Sequence, residues 1–92
     1  MISESEILLI KKITKKFQPT LLGIFGSFAR NENTINSDLD ILFDTDHKIN
    51  LLDIIGLEQE ISEKLNIKVD LITLKSINEK LKPYIFKDLI LL

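Results

Sequence analysis

The stretch Leu21-Leu22-Gly23-Ile24-Phe25-Gly26-Ser27-Phe28-Ala29-Arg30, followed after a polar interval by Ser37-Asp38-Leu39-Asp40-Ile41-Leu42-Phe43-Asp44, decides how the chain is read. Leu21 to Phe25 is an apolar run closing on Gly26, too brief for a helix between two breakers, and it predicts a buried strand. Ser27 to Arg30 then reads as a short helical turn. Asn31 to Ser37 holds three asparagines, the composition of a loop whose side chains satisfy backbone groups locally. From Asp38 to Asp44, Leu39, Ile41 and Phe43 alternate with Asp38, Asp40, Leu42 and Asp44, a period of two that predicts a second strand with one apolar face.

Upstream, Ile7, Ile10, Ile13 and Phe17 recur at helical spacing, so an amphipathic helix is expected over residues 4–16, ended by Pro19. Downstream, Leu51, Ile54, Leu57, Ile61 and Leu65 mark a second helix, weakened by Gly56, with Asn66 expected as a left-handed residue just past its end. Ile67 to Thr73 predicts a third strand. Ser76 and Glu79 have the spacing of a capping box, which predicts the start of a last helical region that Pro83 breaks in two. The expected fold is α+β, a small mixed sheet of about three strands flanked by helices in two layers. Strand order does not follow from the pattern.

With 92 residues the chain is expected to form a single domain, 1–92. Such a domain buries only about 60 to 65% of the surface its unfolded chain exposes, which favours a partner or self-association. Its composition, 45% hydrophobic and 28% charged, is that of a soluble globular protein rather than a disordered one. The absence of cysteine excludes a disulfide framework and a thiolate metal site. The N-terminus lacks the apolar core of a signal peptide, and no run approaches the ~20 apolar residues of a membrane span. A formal charge of -2 gives no general attraction to nucleic acid or anionic lipid. A cytoplasmic protein that binds neither membrane nor nucleic acid directly is expected.

Asp38 and Asp40, two apart on a strand, project from one face about 6.5 to 7 Å apart along the backbone, within reach of one hard cation. Asp70 stands among Val69, Leu71 and Ile72, where an unpaired buried charge would cost several kcal/mol. A cation shared with Asp38 and Asp40 would remove that cost if the two strands are neighbours; the alternative is a solvated face shared with Lys68. Three carboxylates form an all-oxygen ligand set, suited to Mg²⁺ or Mn²⁺ and not to zinc. Magnesium takes its remaining ligands from water and phosphates, so a phosphorylated substrate is implied. Gly26 lets backbone approach a phosphate, the following turn offers free N–H groups, and the Ser27 hydroxyl can donate a further hydrogen bond.

Gly26-Ser27-Phe28-Ala29-Arg30 with Ser37-Asp38-Leu39-Asp40 resembles the glycine-serine and twin-aspartate signature of the polymerase-beta-type nucleotidyltransferase superfamily, in the form found in its minimal members. The resemblance covers nearly the whole chain, since the third family carboxylate falls at Asp70 and a helical tail is expected over Leu81 to Leu92. Asn31 departs from the glycine of many relatives but also tolerates a left-handed backbone. The resemblance implies transfer of a nucleoside monophosphate to a hydroxyl with release of pyrophosphate. Asp38 and Asp40 would hold two magnesium ions, Asp70 would assist the ion that activates the hydroxyl, and Gly26 and Ser27 would grip the phosphates. Arg30 is a secondary nucleotide contact or an ion pair that braces the loop.

Minimal nucleotidyltransferases commonly act as antitoxins beside a HEPN-domain ribonuclease toxin, some by moving AMP from ATP to a toxin tyrosine. That role is expected here, in a homo- or hetero-oligomer. A binding antitoxin without turnover and a free-standing transferase for a small molecule are the alternatives. Asp44, Asp46 and His47 are expected in solvent, Ser37 as a turn cap, Tyr84 and Phe86 in the core or an interface, and the tail Leu89 to Leu92 either folded onto the sheet or exposed for another subunit, with a contribution to an interface as the favoured reading.

Overall fold

The computed structural model describes residues 2–92, so Met1, the first residue of the expected domain, lies outside the described residues. Helix α1 spans Glu4–Thr14 and is started by Ser3, whose hydroxyl accepts from the Glu6 N–H while the Glu6 carboxylate accepts from the Ser3 N–H. It loosens into a 3₁₀ turn, Lys15–Phe17, and stops at Gln18, left-handed at φ 46°. Strand β1, Pro19–Phe25, begins on the proline, two residues earlier than expected. The helical turn α2, Gly26–Ala29, follows without a break.

Strand β2 is Leu39–Thr45 and helix α3 is Leu51–Leu65. Asn50 and Asp53 cap α3 reciprocally, and Asn66 closes it at φ 54°, as the sequence predicts. Strand β3 is Val69–Thr73, shorter than expected because Ile67 is still tied to the helix end by the Ser62 hydroxyl and carbonyl.

The C-terminal region departs most from expectation. No capping box forms, because the Ser76 hydroxyl donates back to the Thr73 carbonyl within a 3₁₀ turn, Leu74–Ser76. Helix α4, Lys82–Asp88, starts around Pro83 instead of being broken by it, since a proline in the first turn loses no intrahelical bond. The helical tail expected over Leu81 to Leu92 is helical only through Asp88; its end is a strand, β4, Ile90–Leu91, paired to β1, with the Leu92 N–H donating to the Leu22 carbonyl at 2.9 Å.

The sheet has four strands in the order β3-β2-β1-β4, with β1 antiparallel to both β2 and β4, and β2 parallel to β3 through the α3 crossover. One face carries Ile24, Leu39, Ile41, Phe43 and Leu71 into a core shared with Ile10, Ile13, Leu57 and Ile61 of α1 and α3. The other face is not wholly polar, because Leu42 is also fully buried. Gly23 stands opposite Leu42 in β1, and a Cβ there would lie 2.7 Å from Leu89 Cδ1, so the tail packs on this second face. On the outer edge of β3, the Leu71 N–H donates to the Glu58 carboxylate of α3 at 2.8 Å. Among the described residues no helix is long and apolar enough to cross a membrane.

Candidate active site

β1 ends where β2 and β3 begin, so Gly26, Asp40 and Asp70 meet at one end of the sheet. The register pairs Asp40 with Phe25 on one side and with Asp70 on the other. Neighbouring strands lie roughly 4.8 Å apart, and paired residues project from the same face, so the Asp40 and Asp70 carboxylates stand side by side. Residue 70 is therefore on the same side of the sheet as residue 40. Asp38 precedes β2 by one residue, and its carboxylate lies 3.9 Å from the Lys68 ammonium, itself two residues before Asp70.

The electrostatic cost falls on Asp40 rather than on Asp70. Asp70 is exposed, because the apolar neighbours that suggested burial, Val69 and Leu71, point to the opposite face, and its charge is solvated. Asp40 is half-buried, and its carboxyl is pushed up to about 6, first by burial and then by the charges of Asp70 and Asp38, with Arg30 opposing. Among the described residues no three acidic or histidine side chains are gathered closely enough to hold a metal ion. Asp38 is turned to Lys68 and Asp70 to solvent.

Gly26 has φ +73°, and a Cβ on it would overlap the Asp40 Oδ2. Both the backbone and the carboxylate beside it require glycine at this position. The turn that follows is held by the Arg30 N–H on the Gly26 carbonyl and the Glu32 N–H on the Ser27 carbonyl, and Asn31 is left-handed at φ 58° as its tolerance suggests. The first N–H groups of such a turn have no partner within it, and they begin next to Asp40.

Arg30 donates through Nη1 to Asp88 Oδ2 at 2.7 Å and through Nε to Glu32 Oε2 at 3.2 Å. The bond to Asp88, then that to Glu32, raises its pKa above the ordinary arginine value. It thus braces α2 against the end of α4, and its charge still reaches Asp40. Sequence reading missed both Asp88 and Lys68 as partners of site residues. Asp88 is 58 residues from Arg30 and leaves no local signal. Ser37 accepts from the Thr34 N–H at 2.8 Å, the turn-capping role expected of it. Asp44 lies 3.6 Å from Lys75 toward the far end of β2, Asp46 is exposed, and the exposed His47 ring meets Gln18 at 2.6 Å.

Residues 9–92 match the family described as polymerase beta, nucleotidyltransferase. A candidate protein adenylyltransferase of Methanocaldococcus jannaschii is 48% identical over 79 residues, covering 86% of this chain and 78% of that one. The protein adenylyltransferase MntA of Thermococcus cleftensis is 30% identical over 80 residues, covering 87% and 81%. Among solved structures, the complex of an MNT antitoxin with the tri-AMPylated Shewanella oneidensis HEPN toxin matches with a TM-score of 0.79 at 20% identity, over 98% of this chain and 71% of that one, a likeness of fold. By sequence match over most of its length, and with the same fold, this chain belongs to the polymerase beta nucleotidyltransferase family.

Proposed function

We propose that the chain is a protein adenylyltransferase that moves AMP from ATP to a tyrosine hydroxyl of a HEPN-type ribonuclease toxin, and so serves as the antitoxin of a cytoplasmic pair. The observation that carries this reading is the register of Asp40 with Asp70 beside the Gly26 turn. The names of the relatives and the AMPylated toxin in the matching complex support the donor and the acceptor. Asp38, Asp40 and Asp70 would hold magnesium. The donor set fits in its chemistry, because it is all oxygen and because a divalent cation would offset the repulsion of Asp70 and Asp38 on Asp40 that Arg30 relieves only in part; to complete the set, Asp38 would turn inward from Lys68.

Magnesium, when bound, supplies positive charge for the triphosphate and for the departing pyrophosphate. The protein's own contribution is placement. The Gly26 and Ser27 turn grips the phosphates, and Arg30 holds the turn to α4 while its field reaches the site. The phenolic oxygen forms a bond to the α-phosphorus as the bond to the bridging oxygen of the β-phosphate breaks. Pyrophosphate leaves with that electron pair, and the phenolic proton passes to a site carboxylate.

The exposed apolar side chains Leu81, Tyr84, Phe86, Ile90 and Leu91 of the C-terminal region supply surface for the partner or for self-association. Mass spectrometry of the co-expressed HEPN partner tests the proposal. AMP increments on a tyrosine are expected with the native chain and none with Asp38→Asn plus Asp40→Asn. Toxin neutralisation undiminished in that double variant would leave a blocking antitoxin instead.

A further inference from the structure

Helix α4 lies over the same side of the sheet as Asp40. Asp40 and Leu42 share one face of β2, Gly23 of β1 is paired with Leu42, and Leu89, the residue after α4, packs on Gly23. The helix touches β1 and the α2 turn, and its end is tied to that turn by the 2.7 Å bond from Arg30 to Asp88. Tyr84 stands four residues before Asp88, so the two side chains share a face of α4, about 5 to 6 Å apart at Cβ. The phenol is thus one helical turn from the carboxylate that holds Arg30, on the side of the sheet that carries Asp40 and Asp70.

Tyr84 is the only tyrosine of the chain and is 70% exposed. Leu81 gives α4 no side-chain cap, so the first turn, which carries Tyr84, opens readily and lets the ring swing. A phenol tethered at the rim of the site is presented at an effective concentration on the order of millimolar, which a separate acceptor reaches only by docking.

We infer that Tyr84 is an acceptor in its own right, so that the chain adenylylates itself there while no partner covers α4. The inference rests on the transfer reading above for the chemistry of donor and acceptor. The Tyr84 phenolic oxygen bonds to the α-phosphorus of ATP as the bond to the α–β bridging oxygen breaks. Pyrophosphate leaves with that electron pair, and the phenolic proton passes to a site carboxylate. The product is an AMP phosphodiester with one negative charge, set among Leu81, Phe86, Ile90 and Leu91, the apolar surface offered to the partner. A docked partner hides Tyr84, and a modified Tyr84 spoils the docking surface, so the reaction marks chains that have no partner.

Intact-mass and peptide mass spectrometry of the purified chain, incubated with magnesium and ATP alone, tests this. One AMP increment is expected on the peptide that carries Tyr84, at a rate per chain that a roughly tenfold dilution leaves unchanged, and none in Tyr84→Phe. The HEPN partner, added at about ten times its dissociation constant, should slow the reaction by about tenfold. An increment at another residue, a rate that falls with dilution, or a rate that the bound partner leaves unchanged would overturn the inference. So would a chain that modifies its HEPN partner and never itself, an outcome that leaves the transfer reading standing. A chain modified at Tyr84 beside an unmodified partner refutes the partner as acceptor and not the inference, and increments on neither protein overturn both.

Discussion

Replacing Asp40 by asparagine should make the protein more stable at neutral pH while removing its activity. The Asp40 carboxyl moves from 3.8 to about 6 on folding. For an acid whose pKa is raised, the folded state binds more protons than the unfolded state between those two values. Stability therefore falls as pH rises through that window, and the full penalty is present above it. About two pKa units correspond to ~3 kcal/mol if nothing screens them, and the partial exposure of Asp40 lowers this to ~1–2 kcal/mol. Asparagine keeps the shape and drops the charge, so at pH 7.5 Asp40→Asn should melt higher by ~5–15 °C in a domain of this size. The gain should shrink to roughly a fifth by pH 4, where the aspartate is protonated when folded and about two-fifths protonated when unfolded, and vanish below pH 3. Circular dichroism melts of both proteins from pH 4 to 8 measure this. A variant less stable at pH 7.5, or a gap that does not change with pH, would refute the reasoning.

Three further substitutions are informative. Gly26→Ala forces a side chain into a left-handed backbone and onto the Asp40 carboxylate, so a loss of ~1–2 kcal/mol in urea unfolding is expected, with weakened ATP binding by calorimetry. Gly56→Ala lies mid-helix in α3 with open space around the new methyl, so a gain of ~1 kcal/mol, or ~4–8 °C in melting temperature, is expected; an unchanged melt would count against it. Asp88→Ala frees Arg30 from α4, and hydrogen exchange should quicken at the α4 amides while the α1 and α3 amides keep their protection.

The elements that define the site were legible wherever a local pattern specifies them. The alternation in Leu39 to Phe43, the apolar run into Gly26 and the asparagine closing α3 each encode their conformation within a few residues. For Asp70 the buried reading fails and the solvated face shared with Lys68 holds, because apolar neighbours in sequence say nothing about the face a side chain takes on an edge strand. Its adjacency to Asp40 depends on the long-range order of the strands, which periodicity does not carry. The tail Leu89 to Leu92 is apolar without a period, so its choice of strand over helix was made by the free edge of β1, and the Arg30 to Asp88 contact depends in turn on where that tail lies.

The Glu58 carboxylate that occupies the Leu71 amide has a consequence for assembly. A foreign strand seeking to lengthen the sheet beyond β3 would find that donor already engaged by a charged group. At the opposite rim β4 offers only two residues of ladder. Recognition of another protein must then proceed through side-chain surfaces, and runaway polymerisation by backbone pairing is discouraged at both margins.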